Sequence, residues 1–352
     1  MAARLDKVLD LAVEHDIQVM LALLNHGQFS ANVNPNWSMN PWNEDNGGPL
    51  AYPSQFFTHH DAKETYKQQL LYIIGRYGYS TGIMAWELFN EVDWTDNFSS
   101  TAVYIWHTEM SQFIKEHDPY GRMVTTSYKG SQGGAYNSIH IDFANPHSYD
   151  YGSRNIMESL TPVIDSLHAQ YEKPILQSEL GINWQNGRDT TTADPTGVSL
   201  KQAQWAGVMN GSAGAAMNWW WDSWVHPNDL YGRFTGIGKF AARMDMTGET
   251  YDLLHRLDGV DVSRSQVGIL GYRIDNRVYG YLYDTFWRHD MTTVYDKQTT
   301  VVIPIATGSY RLTIYDTDSG EPLESRALTS SSGQVTFTLT LAEDKAFIIE
   351  GV

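Results

Sequence analysis

The chain has no cysteine in 352 residues, which excludes structural disulfides, thiolate nucleophiles and zinc–sulfur sites. Charge is sparse at 18%, and basic residues are the scarcer kind: 24 Lys and Arg against 41 Asp and Glu, a net charge of −17. A field of that sign repels phosphodiesters and anionic lipid, so nucleic acid and membrane surfaces are excluded as partners. No run of about 18 apolar residues exists that would span a bilayer. The N-terminal Met1-Ala-Ala-Arg-Leu-Asp-Lys7 lacks an apolar signal core and reads as helix, which leaves the compartment open. Metal ligation finds no support either. His59 and His60 precede a helix in the manner of a cap, and no helix carries two histidines and a carboxylate at ligand spacing.

What the chain does have is apolar residues at 42% and aromatics at 13%, enough for a large core. Leu5, Val8, Leu9 and Ala12 recur at helical spacing, and Ile17–Leu24 follows as a buried strand. Asn25–Thr58, rich in Asn, Pro, Gly and Trp, reads as a long loop, the wall or lid of a cleft. Strands are then expected at Gly82–Glu91, Arg122–Tyr128, Ile141–Tyr149, Pro174–Leu180 and Gly214–Trp221. Between them lie helical stripes ending in Ser199–Asn210 and Asn228–Arg243. Such alternation predicts parallel β/α units, with six recognisable strands where a closed barrel has eight. After about residue 260 the period changes to two. Val267–Tyr283, Thr299–Ile305, Tyr310–Tyr315 and Val335–Leu341 predict an antiparallel β-sandwich behind a polar linker at Asp258–Ser265. The expected domains are therefore 1–258 and 259–352.

Two glutamates carry the chemical signal. Glu91 closes Ile83-Met-Ala-Trp-Glu-Leu-Phe-Asn-Glu91, and Glu179 closes Pro174-Ile-Leu-Gln-Ser-Glu179. A carboxylate at the C-terminal end of a parallel strand stands at the mouth of a β/α barrel. Two of them facing each other are the equipment for cleaving a glycosidic bond. Glu91 then serves as general acid, protonated near neutral pH, and Glu179 as nucleophile. Asn90 is placed to hydrogen-bond a hydroxyl beside the reacting carbon.

Trp86-Glu-Leu-Phe-Asn90-Glu91, Asn145-Pro-His147-Ser-Tyr149-Asp and Pro174-Ile-Leu-Gln-Ser-Glu179-Leu-Gly, in that order, resemble the clan A glycoside hydrolases near family 5. The likeness runs from about Leu5 to Arg243. It implies a (β/α)8 TIM-barrel fold and hydrolysis by double displacement with retention, and a secreted or periplasmic location. By the resemblance, Glu91 matches the acid/base, Glu179 the nucleophile and Asn90 the 2-hydroxyl contact. His147 and Tyr149 match a pair on the sixth strand, the tyrosine serving the nucleophile, and His26 matches a histidine lining the cleft. The first two strands of that family have no counterpart here, nor does an arginine that supports the nucleophile. A truncated gene, a completing partner chain and a naturally partial barrel all stay open.

Asn218-Trp219-Trp220-Trp221-Asp222 adds a candidate sugar platform in Trp219 and Trp221. Trp37, Trp42, Trp94, Trp184 and Trp224 are expected in loops on the same side. The resulting reading is a retaining β-glycosidase of neutral glucan, mannan or galactan that needs no cofactor or metal. Its rivals are a non-catalytic carbohydrate-binding barrel and a transglycosylase. An open sheet edge at Ile17–Leu24 predicts a homo-oligomer that covers it.

Overall fold

The computed structural model describes residues 2–131, 133–149, 154–215, 217–248, 250–291 and 293–352. The chain divides into two compact units, residues 1–148 with 168–176, and residues 149–167 with 177–352.

The first unit is built from helices α1 (Ala2–Glu14), α2 (His60–Tyr77) and α3 (Ser100–His117) and strands β1 (Val19–Ala22), β2 (Ile83–Glu87), β3 (Met123–Thr125), β4 (Ser127–Tyr128) and β5 (Asn145–Ser148). β1, β2 and β3 form a parallel sheet in that order, with Leu21 opposite Trp86 and Trp86 opposite Val124. β4 and β5 pair in parallel. Apolar residues on both faces of β2 are what a parallel strand covered by helices requires. Ile83, Ala85 and Trp86 are buried, and the Trp86 indole donates to Asp118 Oδ2 at 2.9 Å.

Asn25–Thr58 is not a structureless loop. It holds four short 3₁₀ turns, His26–Phe29, Trp37–Met39, Glu44–Asn46 and Pro53–Phe57. Its phenylalanines turn inward, Phe29 packing 4.5 Å from Phe56, and Phe56 5.5 Å from both Tyr66 and Trp106. The polar residues of this segment supply the turns and its aromatics anchor it to α2 and α3.

The second unit contains α4 (Ile156–Gln170, whose last turn belongs to the first unit), β6 (Glu179–Leu180), α5 (Gly187–Ala193), α6 (Val198–Met209) and α7 (Thr235–Ala241). Then come β7 (Asp252–Leu253), β8 (Asp261–Val262), β9 (Val267–Ile274), β10 (Arg277–Asp284), β11 (Lys297–Pro304), β12 (Gly308–Tyr315), β13 (Pro322–Ser330), β14 (Gln334–Leu341) and β15 (Asp344–Gly351). These last nine make two antiparallel sheets, β13-β12-β15-β10-β9-β7 and β14-β11-β8. Val301, Ile303, Val335 and Phe337 of one sheet meet Leu312, Ile314, Phe347 and Ile349 of the other in a single apolar core. Helix α6 belongs to this body. Trp205 stacks on Tyr281 with ring centroids 4.7 Å apart, and the buried Lys201 ammonium pairs with Asp344 at 3.1 Å and Asp318 at 3.0 Å.

Four elements depart from expectation, the first being Pro174–Leu180, of which only Glu179–Leu180 is a strand, with an isolated bridge at Ile175. Gly214–Trp221 forms no extended strand among the described residues, only a bridge between Leu180 and Asn218; Ala216 lies outside those residues, as does Asp150. Gly and Ala dominate its first half, with none of the branched side chains that favour strands. The helix read over Asn228–Arg243 splits into a 3₁₀ turn, Leu230–Phe234, and α7, in a segment carrying Gly232, Gly236 and Gly238. The linker at Asp258–Ser265 carries β8, whose Val262 pairs with Val301.

Candidate active site

Glu91 stands at the end of a ladder that continues past β2. Asn90 N–H donates to Leu24 O at 2.8 Å, His26 N–H to Asn90 O at 3.1 Å, and Ser127 N–H to Phe89 O at 3.0 Å. Strand hydrogen bonding thereby sets His26, Asn90 and Ser127 side by side. At Glu91 the backbone turns sharply, with φ 50° and ψ 54° in the left-handed region. That conformation costs a non-glycine residue about 1–3 kcal/mol and persists only where its surroundings hold it. Here the Glu91 N–H donates to Ser127 Oγ at 2.9 Å, and Ser127 Oγ in turn donates to Asn90 Oδ1 at 3.4 Å.

Two imidazoles flank the Glu91 carboxylate. His147 Nδ1 lies 2.9 Å from Oε1, and His26 Nδ1 lies 3.5 Å from Oε2; both rings are buried. Burial holds His26 below its ordinary 6.5, against the opposing pull of the Glu91 charge. Both Nδ1 atoms face the Glu91 carboxylate. Two residues on, burial pushes Asp93 above the ordinary carboxylate range, and its Oδ1 accepts from Lys129 N–H at 3.0 Å. The Lys129 ammonium rests 3.6 Å from the centroid of Trp94, which is partly exposed.

In the second unit Glu179 opens β6, and the Tyr149 hydroxyl donates to its Oε1 in a short hydrogen bond. The Tyr149 ring packs over Gly181, where a Cβ would come within 3.1 Å of it. Trp219 N–H donates to Leu180 O at 2.9 Å, which places the tryptophan run beside β6. Trp219 and Trp221 are 46% and 62% exposed. Trp220 between them turns its indole N–H to Asn183 O at 2.8 Å and packs on Leu200 and Trp224.

The looser expectation for the remaining tryptophans is corrected in part. Trp37 and Trp224 are buried, Trp224 donating to Asp194 O at 2.7 Å. Trp42 meets Phe56 edge-on at 5.2 Å. Trp94 and Trp184 are the exposed members of that group. Sequence reasoning missed Ser127, Asn34 and Lys129. Nothing in their local sequence announces them: Ser127 meets Glu91 and Lys129 meets Asp93 from another segment, and Asn34 meets His26 by a fold-back within its own.

The family model described as glycoside hydrolase family 5, beta-mannosidase-like, matches residues 1–196. The chain is 31% identical over 169 residues to mannan endo-1,4-beta-mannosidase F of Aspergillus clavatus, covering 46% of this chain and 34% of that protein. It is 28% identical over 224 residues to mannan endo-1,4-beta-mannosidase 5 of Arabidopsis thaliana, covering 52% of this chain and 51% of the plant protein. The chain thus spans from 34% to 51% of the length of these curated relatives. Among solved structures, a putative glycoside hydrolase of Bacteroides vulgatus aligns with TM-score 0.61 and 11% identity over 99% of this chain and 62% of that one. A family 30 subfamily 8 xylanase of Clostridium acetobutylicum aligns with TM-score 0.53 and 12% identity over 97% and 92%; both likenesses concern the fold. The family match, which takes in both Glu91 and Glu179, makes this chain a member of glycoside hydrolase family 5, of the beta-mannosidase-like kind.

Proposed function

We propose that the chain is a retaining β-glycosidase acting on β-1,4-linked mannan. The observation that carries this is the pair of held carboxylates: Glu91 between two imidazoles on a left-handed backbone, and Glu179 under the Tyr149 hydroxyl. Family membership and the mannan-cleaving relatives support the substrate class. In the first step a Glu179 oxygen attacks the anomeric carbon. The glycosidic C–O bond breaks and Glu91 gives its proton to the leaving oxygen. In the second, Glu91 takes a proton from water, the hydroxide displaces Glu179, and the product leaves with its configuration retained. Asn90, with Ser127 on its Oδ1, presents its amide N–H to the 2-hydroxyl. Trp219 and Trp221 offer faces for pyranose rings.

In this reading 1–258 carries catalysis on a β/α barrel, and 259–352 is an accessory sandwich. A second copy covers the sheet edge at β1. Among the described residues that strand pairs only with β2, and Val8, Leu11, Val13 and Ile17 beside it are exposed. Light scattering at two protein concentrations tests this, and a stable monomer would end it. No helix among the described residues is long and apolar enough to cross a membrane.

The decisive experiment follows mannan and manno-oligosaccharides by reducing-end release, with the anomer of the first product read by NMR. Retention and a carboxyl separation of about 5–5.5 Å in a crystal structure are expected. Inversion, or no cleavage of mannan, glucan or galactan, would sink the proposal.

A further inference from the structure

We propose that Asn34 is a positioning residue: its amide holds the His26 imidazole as the Nδ1–H tautomer, so that His26 turns a proton donor toward Glu91. The proposal rests on the reading of Glu91 as the acid/base.

The geometry begins with an anchored loop. The Asp96 carboxylate, five residues past Glu91, accepts from Ser30 Oγ at 2.7 Å, Ala31 N–H at 2.7 Å and the Asn32 amide at 3.0 Å. Ser30 Oγ then accepts from the N–H groups of Asn32 and Val33 at 3.0 and 2.9 Å. This turn leads the chain into Asn34, which adopts φ 46° and folds back onto Gly27. A Cβ at Gly27 would lie 2.6 Å from Asn34 O, so only glycine admits the return. The outcome is a contact of 3.0 Å between Asn34 Nδ2 and His26 Nε2.

The tautomer follows from what each ring nitrogen faces. Nδ1 is buried, lacks a hydrogen-bond partner and lies 3.5 Å from Glu91 Oε2. The Asn34 Nδ2 amide only donates, so Nε2 is the lone pair and a neutral ring carries its proton on Nδ1. Burial holds the ring below its ordinary value; of the groups facing it, Glu91, the Asn90 backbone and Asp93 favour protonation and His147 opposes it. His147 already occupies Oε1, which leaves Oε2 for proton transfer. A donor waiting beside Oε2 favours the ionised Glu91 that must receive the proton of water in the second step.

The test reads the ring directly. Long-range ¹H–¹⁵N spectra of the ¹⁵N-labelled protein, with His26 identified through His26→Gln, should show Nδ1 protonated and Nε2 bare at neutral pH. In Asn34→Asp a carboxylate on each side of the ring should protonate both nitrogens. The imidazolium should then move the basic limb of kcat/KM for an aryl β-mannoside to lower pH by about one unit. Asn34→Gly, which the left-handed backbone accepts, should yield a mixture of tautomers and guards against misfolding of the first variant. A wild-type ring protonated on Nε2, or ring states and pH limb unchanged in both variants, would overturn the proposal. The spectra need no turnover. Ring states as expected in a protein that cleaves no β-glycoside would therefore count against the catalytic reading and leave the tautomer assignment standing.

Discussion

The two glutamates occupy contrasting surroundings. Glu91 is buried at the end of a backbone ladder, fixed by Ser127 and flanked by two imidazoles. Glu179 is half-buried and accepts from the Tyr149 hydroxyl, with exposed tryptophans following the bridge beside it. The first setting is suited to handling protons, since imidazoles can share hydrogen with a carboxylate that alternates between two states. In the proposed mechanism the second suits the carboxylate that attacks, so that environment, rather than residue type, would divide the labour between two identical side chains.

The sharpest way to break this comparison is to remove each carboxylate in turn. Glu179→Gln should lower kcat/KM on every substrate by about 10⁴-fold or more, because no covalent intermediate can form. Glu91→Ala should cost about 10²–10⁴-fold on manno-oligosaccharides but much less on dinitrophenyl glycosides, whose leaving group needs no proton. Equal losses on both substrate types in both variants would erase the distinction between the two sites.

A histidine away from the site sharpens it in another direction. His107 on α3 is fully buried between Val103 O and Thr126 Oγ1, and burial depresses it from 6.5 to about 4. The unfolded chain therefore takes up a proton before the native one does. Stability is intact above pH 6.5 and falls with pH toward about 4, at a limiting slope of about 1.4 kcal/mol per unit. Urea unfolding at pH 7 and pH 5 should show this loss, reduced in His107→Gln. If His107→Gln leaves the acid loss unchanged, the depressed histidine is not its source.

Legibility in the sequence follows the same divide. Regular alternation made the sandwich readable, because a two-residue period has one structural meaning when turns recur. The apolar run of β2 was readable, and with it the ladder that leads to Glu91; the run before Glu179 was read as a strand, but β6 holds only Glu179 and Leu180. Asn25–Thr58 was misread because composition reports its turns and not the inward packing of Phe29, Phe56 and Phe57. Ser127 and Asn34 reach the site through ladder register and a glycine-permitted fold-back. Neither leaves a mark in a local pattern. The grouping of α6 with the sandwich was hidden for the same reason, since Lys201 and Trp205 find their partners about 80 to 140 residues away.

The tyrosine beside Glu179 is the next test. Tyr149→Phe removes the donor to Glu179 and keeps the ring that packs over Gly181. A hydrogen bond to a charged group contributes about 1.5–3 kcal/mol, so kcat/KM should fall by roughly 10–100-fold. The loss should fall in kcat for the activated aryl glycosides as well as for oligosaccharides, since attack by Glu179 is common to both. An effect confined to KM would recast Tyr149 as a substrate contact.

The smallest effects belong to the exposed rings. Trp219 and Trp221 lie on either side of an indole that turns inward, so their exposure follows from the backbone path and from the packing of Trp220 on Trp224. An apolar surface of this size left to water beside Glu179 is consistent with a ligand that covers it. Stacking of a sugar on one ring contributes about 1 kcal/mol. Trp219→Ala and Trp221→Ala should therefore each raise KM for manno-oligosaccharides roughly fivefold, with kcat on a small aryl glycoside nearly unchanged. Neither should alter the melting temperature as Trp224→Ala would, because that ring is fully buried and hydrogen-bonded to Asp194 O. Unaltered KM in both exposed-ring variants would transfer the platform to Trp94 or Trp184, the other exposed tryptophans of the predicted set.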